Sequence, residues 1–300
     1  MSVSTEELHT RIPEILAGIA AADTAAVGEL GQFHLRQDPR GRVIGDFYGC
    51  RLSSAFQKVF GADGLCVIGH DARIRCDGGG ENTLSPWGIF STIASDAALV
   101  RLDRLCRSVH ILNYFGHAQA GHALFLRVEP RLLKSVKHDH GGIFGEVLEH
   151  CGIATSNVVI VIPQEATADG DLLARVTANY RSRGYRLAVA STLQHDMAAL
   201  EGVQPDFLQL DVGQFSSEQE LKPFVDHAHG WGGRTLVTHI EAARELVIAV
   251  RAGADAMQGY FLGRPDFENV RQPRLTPVPA YITRAESSGR ANAAPHSAHG

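Results

Sequence analysis

The segment Gln258-Gly259-Tyr260-Phe261-Leu262-Gly263-Arg264-Pro265 sets a neutral amide and a bare backbone where an apolar run breaks into a loop, an arrangement suited to a flat, polar ligand. A second set lies in Asp71-Ala72-Arg73-Ile74-Arg75. On a strand, Arg73 and Arg75 point to the same side, and paired guanidiniums suit phosphate oxygens. Other constellations have plainer explanations. His138-Asp139-His140, followed by Gly141-Gly142 and flanked by lysine, reads as a solvated turn and helix start rather than a metal site. Ser191, His195 and Asp211 supply the residue types of a hydrolytic triad, but residue types without geometry do not make one. Cys66 and Cys76 flank a strand with nothing to lower a thiol pKa, and Gly78-Gly79-Gly80 lacks the Lys-Ser/Thr of a phosphate-binding loop. Trp87 and Trp231 read as core or interface residues.

The elements that position these residues follow from periodicity. The octapeptide closes a strand (234–238), helix (240–251), strand (255–258) unit. Eight strands are expected in all, at 56–60, 65–75, 123–128, 157–162, 186–190, 207–211, 234–238 and 255–258. Helical patterns at 99–113, 171–182 and 218–229 lie between them, the order of a (β/α)8 barrel. Only Gly61-Ala62-Asp63-Gly64 separates the first two strands, too short for a crossover helix, so that pair must be antiparallel. The fold class is therefore α/β, a TIM-like barrel with an antiparallel first strand, preceded by a helix (6–21) and a β-hairpin turning at Asp38-Pro39-Arg40-Gly41. The expected divisions are an extension at 1–51, a barrel at 52–270 and a disordered tail at 271–300.

Composition narrows the function. A 44% hydrophobic fraction in 300 residues supports one large domain, and a net charge of −5 with pI near 6.3 gives no general pull toward nucleic acid or anionic membrane. No run reaches about 18 apolar residues and the polar start lacks a signal-peptide pattern, so a cytoplasmic protein is expected. Five scattered cysteines argue against both a disulfide framework and a zinc site.

The barrel with Phe56-Gln57-Lys58-Val59, then Gly69-His70-Asp71-Ala72-Arg73-Ile74-Arg75, then Gln258-Gly259-Tyr260 and Pro265, resembles the EAL family of bacterial cyclic di-GMP phosphodiesterases. Members read Y-Q-P-I, G-x-E-A-L-L-R and Q-G-Y/F ending in Pro at these places. Leu84-Ser85-Pro86 with Phe90, Leu102-Asp103, and Pro205 to Asp211 follow in the family's order.

The family's reaction needs two divalent cations held by carboxylates and an Asn at strand ends. By resemblance, those positions fall here on Asp71, Arg127, Val161, Pro163-Gln164, Ala190-Ser191, Gln209 and Thr238, with Glu241 retained as the second Glu of the seventh strand. Only Asp71 keeps a metal-binding carboxylate, shortened, and one carboxylate does not hold two cations. No Mg²⁺ or Mn²⁺ cofactor and no catalytic residue is therefore expected. The ligand-facing candidates are Gln57, Asp71, Arg73, Arg75, Arg127, Glu241, Gln258 and Pro265. Three readings follow: a metal-free cyclic di-GMP receptor; a scaffold contacting an unidentified protein partner, such as a motility or biofilm component; and a residual phosphodiesterase. In a mouth that binds nothing, the arginines would instead satisfy Asp71 and Glu241. The resemblance also implies a homodimer.

Overall fold

Alternation of apolar residues in short β-branched runs builds most of the molecule. The computed structural model describes residues 11, 12, 14, 15, 34–62, 66–77, 83–84, 90–91, 93–118, 121–135, 145, 147–149, 151–191 and 197–270. The strands are β1 (His34–Gln37), β2 (Val43–Phe47), β3 (Cys50–Gly61), β4 (Val67–Asp77), β5 (Thr83–Leu84), β6 (Ala123–Arg127), β7 (Val158–Ile162), β8 (Arg186–Ser191), β9 (Phe207–Asp211), β10 (Arg234–Thr238) and β11 (Ala256–Met257). The helices are α1 (Asp96–Phe115), α2 (Pro130–Ser135), α3 (Gly170–Ser182), α4 (Met197–Val203), α5 (Glu218–Gly230) and α6 (Ala243–Ala252).

The sheet order β1-β2-β3-β11-β10-β9-β8-β7-β6-β4-β5, with β3 also paired to β4, closes an eight-stranded barrel of β3, β4 and β6 to β11. β3 runs antiparallel to both β4 and β11, and the remaining barrel pairs are parallel. The short link at 61–64 thus forces the geometry expected of it.

Period two divides each strand between two cores. Val59, Ala123, Phe125, Val159, Val161, Ala188, Phe207, Leu236 and Ala256 fill the barrel interior. Their strand neighbours, such as Val158, Ile160, Leu187, Leu208 and Val237, pack outward in the larger cluster that also takes in helix residues such as Val176, Val225 and Leu246. Every residue of β7 is buried, as expected of a parallel strand covered on both faces.

Four elements depart most from expectation. β3 begins at Cys50 rather than Phe56, and β4 continues to Asp77, because Arg51 to Ala55 pair with Arg73 to Asp77 in a ribbon that outruns the barrel. The helix expected from Ile240 starts at Ala243, since Ile240 is held by Gln258 O and Phe261 N in the closing turn. The last strand is only Ala256–Met257.

The hairpin forms where Asp38-Pro39-Arg40-Gly41 predicts it, with Asp38 Oδ1 accepting from the backbone N–H of Arg40 and Arg42. It is stitched into the sheet as well, because β2 pairs with β3 from Gly45↔Leu52 to Phe47↔Cys50. α1 lies beneath it. Asn113 clamps Val43 by accepting from its N–H (2.7 Å) and donating to its carbonyl (2.8 Å), and a Cβ on Gly45 would meet Leu105 Cδ1 at 2.9 Å. Of the expected N-terminal helix, residues 11, 12, 14 and 15 are described and helical, with Ile12 and Ile15 in the core. Residues 271–300 and His138 to His140 lie outside the described residues.

Candidate ligand site

The carboxyl ends of the barrel strands form the mouth, and alternation decides which side chains face it. Asp71, Arg73 and Arg75 share the inward face of β4, Arg127 ends β6, Gln209 and Asp211 lie on β9, and Thr238 ends β10. Two cavities occupy this end. A cup of about 610 Å³ reaches from Arg127, Ala190, Ser191 and Asp211 up to Asp103 and His110 on α1. A groove of about 480 Å³ is lined by Gln57, Arg75, Glu241, Gln258, Tyr260 and Pro265, among others. Arg73, Gln209, Thr238 and His239 border both, so Arg73 partitions the mouth without filling it.

Six of the eight candidate residues form one bonded chain or its flank. Gln258 Nε2 donates to Asp71 Oδ2 (3.1 Å) and to Gln57 Oε1 (3.0 Å), and Gln57 Nε2 donates to Gly263 O (2.9 Å). All three side chains are buried. Arg73 Nε stands 2.7 Å from Asp71 Oδ2, off the line of its N–H bond, while Arg75 Nη2 donates to Pro265 O (2.7 Å). The octapeptide is thereby tied to the β3–β4 ribbon, and Phe56 and Asp266 exchange backbone hydrogen bonds of 3.0 Å just beyond it.

The other two candidates stand apart. Arg127 is exposed to the cup yet surrounded by protein. Burial lowers its pKa, with Arg73 acting in the same sense and Asp71 and Glu165 opposing. Glu241 is exposed on the groove rim, its backbone N–H bonded to Glu245 Oε2 (2.6 Å).

Gly259 lines the groove and carries a second requirement. A Cβ there would lie 2.0 Å from Ile240 O and 2.3 Å from Ile240 N, so its bare backbone also serves the close approach of two chain segments. Sequence reasoning also missed His239, whose Nδ1 lies 2.9 Å from Asp211 Oδ2. Asp211 is therefore engaged by His239, and His195 of the notional triad lies outside the described residues. His239 has a left-handed backbone (φ 59°), uncommon for a side-chain-bearing residue. The signal was present: in the EAL pattern this position is the glycine between the two glutamates of the seventh strand.

The EAL domain family model matches residues 45–265, most of the chain. The chain belongs to the EAL family. Comparison with curated proteins gives no match. Among solved EAL structures, the YkuI protein of Bacillus subtilis, in complex with substrate c-di-GMP and calcium, is 26% identical with a TM-score of 0.61, over 72% of this chain and 55% of that one. BlrP1 of Klebsiella pneumoniae in a manganese and cyclic di-GMP complex is 20% identical (TM-score 0.62; 78% and 58% of the two chains), and it is also known with FMN and cyclic di-GMP and no metal ions (19%, 0.58; 72% and 53%). The FimX EAL domain of Pseudomonas aeruginosa bound to c-di-GMP is 20% identical (0.60; 72% and 91%). The chain thus spans little more than half the length of YkuI and BlrP1 and most of the FimX domain. Among the described residues, no group of three or more His, Cys, Asp or Glu is placed to hold a metal ion, and no helix is long and apolar enough to cross a membrane.

Proposed function

We propose that this EAL protein is a cyclic di-GMP receptor that works without divalent metal and without turnover. The observation that carries the reading is the guanidinium on Asp71, the one metal-binding carboxylate left from the EAL pattern. The donors at the mouth do not fit two divalent cations. Asp71 already faces Gln258 and Arg73, Asp211 faces His239, and Val161, Ala190 and Thr238 offer no carboxylate. What the mouth does offer suits a phosphodiester bearing planar bases. Arg73, Arg75 and Arg127 are fixed cations, and Gln57 and Gln258 are buried amides beside the groove. The BlrP1 structure with FMN and cyclic di-GMP and no metal ions is in keeping with this reading.

Calorimetry with cyclic di-GMP in EDTA tests the proposal, with micromolar binding expected and a loss of about tenfold in Arg75→Ala. Mg²⁺ and Mn²⁺ leave the melting temperature unchanged on this reading. Metal-dependent conversion to a linear product, abolished by Asp71→Ala, refutes it in favour of a residual phosphodiesterase. Exposed aromatic side chains at Tyr48 (73%), Tyr260 (49%) and Phe261 (36%) support a second reading, a scaffold for a protein partner. A titration without heat at high dinucleotide concentration favours that scaffold.

A further inference from the structure

We infer that Asp71 is a positioning residue for Arg73: it takes up the Nε side of the guanidinium so that the two Nη groups face the anionic ligand. The inference deepens the receptor reading and rests on it for the identity of the ligand.

Three observations carry it. Arg73 Nε is shut off from solvent and stands 2.7 Å from Asp71 Oδ2, whereas its side chain as a whole is 43% exposed and borders both cavities. The buried part of the side chain is therefore the part that meets Asp71, and the accessible part is the far end of the fork. A free arginine samples many rotamers, and an end-on fork is what a phosphodiester recognises, so fixing one edge raises the value of the other. Asp71 is itself buried, 4% exposed, and held through Gln258 to Gln57 and Gly263 O. The carboxylate that anchors Arg73 thus also anchors the groove's amides, and both depend on one oxygen, Oδ2.

A double-mutant cycle tests the coupling, with cyclic di-GMP as the probe in EDTA. Asp71→Ala and Arg73→Ala are each expected to weaken binding about tenfold, and the double variant to lose well under the roughly hundredfold that independent sites would give, because part of the effect of Asp71 runs through Arg73 and the rest through Gln258. Arg73→Lys is not expected to restore affinity, since an ammonium has no second edge to present. Additive losses, or tighter binding in Asp71→Ala, overturn the inference. A second readout needs no ligand. In free protein labelled with ¹⁵N-arginine, the Arg73 Nε–H signal is expected to exchange slowly and to lose that protection in Asp71→Ala. Fast exchange in the wild-type chain overturns the positioning role whatever the dinucleotide does. Slow exchange in a chain that binds no dinucleotide instead sinks the receptor reading alone.

Discussion

Lowering the pH from 7 to 5 is expected to remove several kcal/mol of stability through two buried histidines. His70 lies between Tyr114 OH (3.1 Å) and Asn269 O (3.2 Å), and burial pushes its imidazole down to about 4, with His122 and Lys58 acting in the same sense and the Asn269 carbonyl opposing. His110, 2.9 Å from Ser54 Oγ, is pushed down to about 3 by burial, with Arg107 in the same sense and Asp71 opposing. A depressed histidine pKa means that the unfolded chain binds the proton first. The contribution to stability is therefore complete above the unfolded value of about 6.5 and falls as pH drops toward the folded value. At pH 5 the loss is about 2 kcal/mol for each histidine, or about 4 kcal/mol together. His122, also lowered by burial, adds in the same direction. Asp38 does not confuse the window. Burial raises its pKa, but hydrogen bonds from Arg42 and Arg40 outweigh this and hold it below the ordinary aspartate value, so its loss comes at lower pH. Urea unfolding followed by circular dichroism at pH 7, 6 and 5 measures the effect, and a His70→Gln/His110→Gln chain should show a much flatter dependence. Stability equal within about 1 kcal/mol at pH 7 and 5 would refute the reasoning, because neutral burial of both rings demands a slope.

Two further outcomes concern packing. Gly259→Ala forces a Cβ into the Ile240 peptide and should cost about 3 kcal/mol or more in urea unfolding; a loss under about 1 kcal/mol contradicts the contact. Asn113→Ala strips both hydrogen bonds from Val43 and should cost about 2 to 3 kcal/mol, with faster amide exchange in β2; unchanged exchange there would show that the clamp is not what seats the hairpin.

The barrel was legible because its strands are short apolar runs whose period survives burial. β9 and β10 have the expected bounds, and the antiparallel first pair followed from a four-residue link. The overlong β3 was harder to see, because Arg51, Ser53 and Ser54 look like loop residues until β2 and β4 are placed on either side of them. At the mouth, the family resemblance pointed to Gln57, Asp71 and Gln258 and strand alternation to Arg73, and the bonds among these side chains join positions up to 201 residues apart. Spacing gave no access to the Asp211–His239 pair, since neighbouring strand ends become adjacent only when the sheet closes. Nor did it show that Arg73 would divide two cavities, which depends on the direction of a long side chain.

The close approach of Gly259 to Ile240 has a consequence for reading related chains. Because the glycine is required where two backbones cross, any sequence that closes its barrel in this way must keep it, whether or not its mouth performs chemistry. A Gln-Gly ending is then a marker of architecture that stays silent when activity is lost. The glutamine before the glycine is the half of the pair that reports on the mouth, because its amide joins Asp71 to Gln57, register partners on the two neighbouring strands.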